Sequence, residues 1–211
     1  MNKPVSGKRS WPMPLTLETV ATAPHIVTSE ISLAAGEIVI LRPLLPNDKT
    51  RLAVFFDDLS PQTREFCTYP SYDLAAAHEF CTAINRYDKL RFVVTTASEK
   101  RVIALLEYSF DIPERDQQRY ASYHIVLNPK TDCRMGPCLA DDYQNQGVGS
   151  LLFPYLIDVA RGFGKTRIIL WGGVLIHNHR AIRYYEKLGF QRLGRFKSED
   201  DRESMDMMLE I

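Results

Sequence analysis

From residue 137 to residue 173 the sequence reads as strand, glycine turn, helix and strand. PCLADD (137–142) runs into DDYQNQGVGSLLF (141–153), whose apolar rhythm continues to about residue 163, and RIILWGG (167–173) follows. Two strands joined through a helix lie parallel, because only a long crossover can bring the chain back to pair in the same direction. The other strand-like segments succeed one another through short connections. LRFVVTTA (90–97) and RVIALLEYSF (101–110) are separated by Ser98-Glu99-Lys100, a hairpin spacing. One parallel crossover within an otherwise antiparallel chain predicts an α/β (α+β) fold. Its centre is a mixed, mostly antiparallel sheet of about seven strands, with helices on both faces.

The remaining pattern fills in that frame. EIVILRPL (37–44) is β-branched and strand-like, and Pro46-Asn47-Asp48 opens a helix carrying Leu52, Phe55, Phe56 and Leu59. Ser60-Pro61 marks a second helix start, with the hydroxyl at the cap and the proline in the first turn. A third helix is expected over 71–87, where Leu74, Ala77, His78, Cys81 and Ile84 recur every three or four positions. YASYHIVLN (120–128) reads as a strand, 178–188 as a helix, and FQRLGRF (190–196) and ESMDMMLEI (203–211) as closing strands. Residues 1–35, rich in Pro, Thr and Ser, read as an N-terminal tail or surface arm, and 36–211 as one domain.

Charge narrows the partners. With 26 basic and 26 acidic residues the chain has no basic surplus, which argues against nucleic acid. No segment reaches the roughly 18 to 20 apolar residues of a transmembrane helix, so no membrane partner is expected. Pro12, Pro14 and Glu18 interrupt the apolar residues that a secretory signal would need, which points to the cytoplasm. Cys67, Cys81, Cys133 and Cys138 lack the paired spacing of a metal site or a disulfide framework, so no metal is expected and the thiols are read as reduced and mostly buried.

Gly147 and Gly149 stand at a helix start, where bare backbone can approach a phosphate closely. A dinucleotide-binding G-x-G-x-x-G fails, because Leu152 holds its third position. A Walker loop fails as well. Gly164-Lys165-Thr166 would supply its end, but Val159 stands where its first glycine belongs and a strand follows instead of a helix. Gln144-x-x-Gly147-x-Gly149 after a short strand resembles the acyl-CoA pyrophosphate loop of the GNAT N-acetyltransferase superfamily. NHRAIRYYEKLGF (178–190) resembles that family's second signature, in the same order and at a matching separation. The resemblance spans about residues 37–211.

The resemblance implies a GNAT fold whose fourth and fifth strands are parallel and splay apart to admit acetyl-CoA. Main-chain groups of Leu139 and Ala140 would hold pantetheine. Gln144, Asn145, Gln146, Gly147, Val148, Gly149 and Ser150 would hold the diphosphate, and Asn178 would reach the pantetheine arm. Arg180 and Arg183 are candidates for the 3′-phosphate. Tyr185 matches the tyrosine that protonates the leaving thiolate, whereas Tyr184 reads as a core aromatic. The family's usual strand-four carboxylate is missing from 134–140. Glu107, in an apolar strand that should raise its pKa, is the expected general base, with His124 or water as alternatives. The implied reaction moves acetyl from acetyl-CoA to a small-molecule or protein amine by direct attack in a ternary complex. A non-catalytic acyl-CoA-binding or regulatory module is the other reading, and the sequence is compatible with a homodimer.

Overall fold

The computed structural model describes residues 11, 13–67, 69–82, 88–97, 101–198 and 200–211. Its strands are β1 (Ser29–Ser32), β2 (Ile38–Pro43), β3 (Lys89–Thr96), β4 (Val102–Ser109), β5 (Asp132–Leu139), β6 (Arg167–Leu170), β7 (Val174–Leu175), β8 (Gln191–Lys197) and β9 (Glu203–Glu210). They form one sheet in the order β1-β2-β3-β4-β5-β6-β9-β7, and β8 lies along β9. Only β5 and β6 pair in parallel, and the helix between them is α6 (Val148–Gly162). The other ladders are antiparallel. The mixed sheet expected from the crossover is therefore present, and among the described residues it has nine strands where about seven were expected.

Both additional strands have local causes. Gly172 and Gly173 adopt φ of +71° and +69°, a left-handed turn that interrupts RIILWGG after Leu170 and resumes it as β7. The segment expected as a surface arm supplies β1, and it also forms helix α1 (Leu17–Thr22). Leu15, Val20, Val27 and Ile31 from this segment are buried in the main core.

Helices α2 (Lys49–Asp58), α3 (Pro61–Cys67) and α4 (Leu74–Thr82) follow β2. Ser60 Oγ accepts from the Thr63 amide at 3.2 Å, the cap that Ser60-Pro61 signalled. The third helix stops at Thr82, and the expected extension over 83–87 lies outside the described residues, as does the hairpin turn at 98–100. Helices α2 and α4 cover one face of the sheet, meeting Val93, Leu105 and Cys138. Helices α6 and α7 (His179–Lys187) cover the other, against Leu106, Tyr108 and Met135.

One expected strand is a helix. Residues 120–128 hold no strand; α5 (Glu114–Ala121) occupies the polar stretch before them and ends within YASYHIVLN. Acidic Glu114 and Asp116 in its first turn and Arg119 in its last suit the helix dipole. The apolar run beyond is a loop in which Leu127 is buried and Val126 is 83% exposed. No helix among the described residues is long and apolar enough to cross a membrane.

Candidate active site

The β5–β6 ladder runs from Asp132↔Arg167 to Met135↔Leu170. A last bond joins the Trp171 amide to the Met135 carbonyl at 2.9 Å. Beyond it the strands part. The Ala140 amide donates to the Ile103 carbonyl at 2.8 Å, so by antiparallel alternation Ala140 and Cys138 face β4, while Pro137 and Leu139 direct their main chain into the gap. Pro137 has no N–H to leave unpaired there, which explains a proline inside a central strand. Gln144 Nε2 donates to the Leu139 carbonyl at 2.9 Å and to Thr63 Oγ1 at 3.1 Å, tying the loop after β5 to α3.

That loop is wound by left-handed residues. Asn145 has φ of +61° and Gly147 +77°. Gly147 is the N-cap of α6, and a Cβ there would meet nothing within 4 Å, so its conformation and not crowding favours glycine. The first helical bond runs from the Leu151 amide to the Gly147 carbonyl at 3.1 Å. The amides of Val148, Gly149 and Ser150 precede it and have no intrahelical acceptor. They form the positive end of a helix 15 residues long. Gly149 is glycine for a different reason, since a Cβ would lie 2.8 Å from the Tyr184 hydroxyl.

Gap and loop open into one cavity of about 590 Å³. Leu139, Gln144, Asn145, Gly147, Val148, Gly149, Ser150, Asn178 and Tyr185 line it, as do Arg180 and Arg183. Ala140 is buried beside β4, and the Gln146 side chain turns back to the Asp142 carbonyl, so neither lines the cavity. Asn178 caps α7, its Oδ1 accepting from the Ala181 amide at 3.1 Å, and still borders the space. Burial holds the Tyr185 phenol well above its ordinary range, with smaller contributions from Tyr184, Cys67 and Cys138. Phe190 braces its ring edge-on at 5.2 Å. Tyr184 was expected in the core, yet it also lines the cavity, beside Gly149.

The candidate bases lie elsewhere. Glu107 is only 6% exposed and does not border the cavity. Its Oε1 accepts from Arg91 Nε at 2.7 Å. Burial raises its pKa, and the Arg91 charge and hydrogen bond pull the other way. Tyr69 interacts electrostatically with both Glu107 and Cys138, and Cys138 borders the cavity. His124 sits exposed on the turn after α5 at φ +63°, not in a strand, and does not border the cavity. Asp141 and Asp142 hold the loop. Asp141 accepts from the Ser60 amide at 2.8 Å and from the Ser60 and Thr63 hydroxyls at 2.7 Å. Asp142 pairs with both terminal nitrogens of Arg101 at 2.5 and 2.9 Å.

Residues of α3 are also part of the site. Thr63, Phe66 and Cys67 line the cavity, and none of the three is among the site residues expected from the sequence. Its exposed Glu65 pairs with His177 at 2.9 Å, bridging α3 to the start of α7. Nothing in the local sequence signals these contacts, because each crosses more than 70 positions.

The family model of the acetyltransferase (GNAT) family matches residues 53–190. An acetyltransferase of Pseudomonas aeruginosa is 32% identical over 133 residues. That alignment covers 63% of this chain and 65% of the relative, so the chain spans less than two thirds of the relative's length. Among solved structures, the GNAT domain of S. lividans PAT superposes with a TM-score of 0.70 at 21% identity, over 89% of this chain and 99% of that one. The aminoglycoside acetyltransferase AAC(6')-Ib in complex with coenzyme A and kanamycin gives a TM-score of 0.62 at 20% identity, over 82% and 94% of the two chains. The family model spans more than half of the sequence, and the chain belongs to the acetyltransferase (GNAT) family.

Proposed function

We propose that the chain is a cytoplasmic N-acetyltransferase that moves an acetyl group from acetyl-CoA to a primary amine by direct attack in a ternary complex. One observation carries the reading: the gap between β5 and β6, the free amides opening α6 and Tyr185 share a single cavity. The diphosphate would rest on the Val148, Gly149 and Ser150 amides. Pantetheine would lie along β5, bonding Leu139 where a neighbouring strand is missing. The amine attacks the thioester carbonyl, the C–S bond breaks, and Tyr185 gives its proton to the departing sulfur. The proton lost by the amine passes through water toward Glu107.

The acceptor is a small-molecule or protein amine. AAC(6')-Ib is complexed with kanamycin, and a spermidine N-acetyltransferase of Vibrio cholerae has the same fold at a TM-score of 0.59. These set the first panel: an aminoglycoside, a polyamine and a peptide N-terminus. Thiol release from acetyl-CoA is measured with each, for the parent and for Tyr185→Phe. Amine-dependent release that falls about 10²–10⁴-fold in the variant supports the reading. CoA binding with no release from any amine would favour a non-catalytic acyl-CoA-binding module.

A further inference from the structure

Two thiols line the cavity, and direct attack uses neither. Cys67 ends α3 and Cys138 lies on β5; both are free and both line the space. Cys67 and Tyr69 both pack against the apolar cluster that holds Cys138, and both act on the Cys138 thiol. Both thiols share that cavity with Tyr185. On the acyl-transfer reading, on which this inference rests, Tyr185 faces the CoA sulfur, so every turnover would bring a third sulfur to the pair. Cys67 is the accessible member, half-buried where Cys138 is buried.

We propose that Cys67 is a site of thiol–disulfide exchange with the disulfide of CoA, and that Cys138 resolves the adduct. The Cys67 thiol gives its proton to solvent, and its sulfur attacks one sulfur of the CoA disulfide. The Cys67–CoA bond forms, the CoA–CoA bond breaks, and one CoA thiolate leaves and takes up a proton. Cys138 then loses its proton and attacks the Cys67 sulfur, forming Cys67–Cys138 and releasing the second CoA thiol. Two protein thiols are oxidised and one CoA disulfide is reduced, with no other oxidant. Docking of the nucleotide half makes the first step effectively intramolecular, which selects this disulfide over others of equal chemistry. The neighbouring Cys67 thiol, together with burial, raises the Cys138 thiol. Since the thiolate is the attacking form, closure is the slower step and quickens with pH.

The test uses the full chain. Its CoA affinity is measured by calorimetry, and reaction with CoA disulfide or glutathione disulfide at about pH 8 is followed by intact mass and peptide mapping. The parent should pass through a one-CoA adduct and end two hydrogens lighter, at least about tenfold faster with CoA disulfide, and acetyl-CoA should slow it. Cys138→Ser, or Cys138→Ala if serine disturbs the core, should stop at one CoA on Cys67, and Cys67→Ser should take up none. An unmodified Cys67 in a chain that binds CoA would overturn the proposal and leave the acyl-transfer reading standing. Equal rates with the two disulfides would also overturn it. Absent CoA binding, that second result removes both.

Discussion

Tyr185, Glu107 and Gly147 each test the site through a different physical property. Burial keeps the Tyr185 phenol protonated past its ordinary range, so its ionisation should produce no alkaline limb in kcat/KM below about pH 10. A rate profile that falls between about pH 8 and 10 in the parent and flattens in Tyr185→Phe would contradict this. Glu107 poses the opposite problem, because its carboxylate has a partner before any substrate arrives. Glu107→Gln should lower activity at neutral pH and regain part of it at alkaline pH, where the amine deprotonates itself. It also strands a buried arginine, which typically costs about 3–5 kcal/mol. A melting curve must therefore accompany the rate, and Arg91→Met with Glu107→Gln restores the balance. Parental activity in a folded Glu107→Gln chain would remove Glu107 from the mechanism. Gly149 is a poor probe, since any Cβ collides with Tyr184. Gly147→Ala strains only the loop, so CoA affinity should weaken while the melting temperature moves by no more than about 1 kcal/mol's worth.

The elements show why some of this was legible and some was not. Strand, glycine loop and helix follow one another in sequence, so the crossover and the loop could be placed from the chain alone. The α5 helix could not. Its apolar residues cluster at its end, in a run that looks like a strand, while its charge order marks the helix. Glu107 was read correctly as buried, but its partner Arg91 stands on the adjacent strand, in register opposite it. Cross-strand neighbours depend on register, which no local pattern encodes. The same holds for α3, anchored to the site by Asp141. Burial pushes that carboxyl up, and the Ser60 and Thr63 donors and the Arg180 charge outweigh it and hold it below its ordinary range. Asp141→Ala should cost about 1 kcal/mol, as losing a helix cap does, and should weaken substrate binding more than the fold. Unchanged KM values would refute α3 as a wall of the site. The buried Asp48 ties α2 to β2, accepting from Arg42 at 2.7 and 2.9 Å. Burial alone would raise its pKa, but Arg42, the Leu45 amide and Arg51 hold it lowered. A carboxylate depressed in the folded state contributes stability above its unfolded value near 3.9, and loses it as pH falls through the folded one. Acid unfolding should therefore begin near pH 4, and Asp48→Asn should remove that component while destabilising the neutral protein.

At the scale of the whole molecule, the sheet divides the work. Helices α6 and α7 cover one face and α2 and α4 the other, and the cavity at the β5–β6 gap is lined by α6, α7 and α3. The N-terminal segment belongs to the α6 face. Trp11 Nε1 donates to the Asp158 carbonyl at 3.1 Å, and the Leu15 amide to the Gly162 carbonyl at 2.8 Å. Gly162 has no room for a methyl group, because Leu15 and Trp11 lie 2.6 and 2.7 Å from where its Cβ would be. Trp11→Ala should lower stability by about 2 kcal/mol, roughly half the loss for a fully buried tryptophan. A null result would make the contact ornamental. The tie also has a temporal side. Trp11 and Asp158 are 147 positions apart, so a ribosome delivers Trp11 long before the helix it closes upon. Until α6 emerges, Leu15, Val20 and Val27 have no wall to pack against, and the sheet's first edge must wait with its apolar side open. Contacts of such long range slow folding and leave the nascent chain prone to association. The last part of this fold to close should therefore be the first part made.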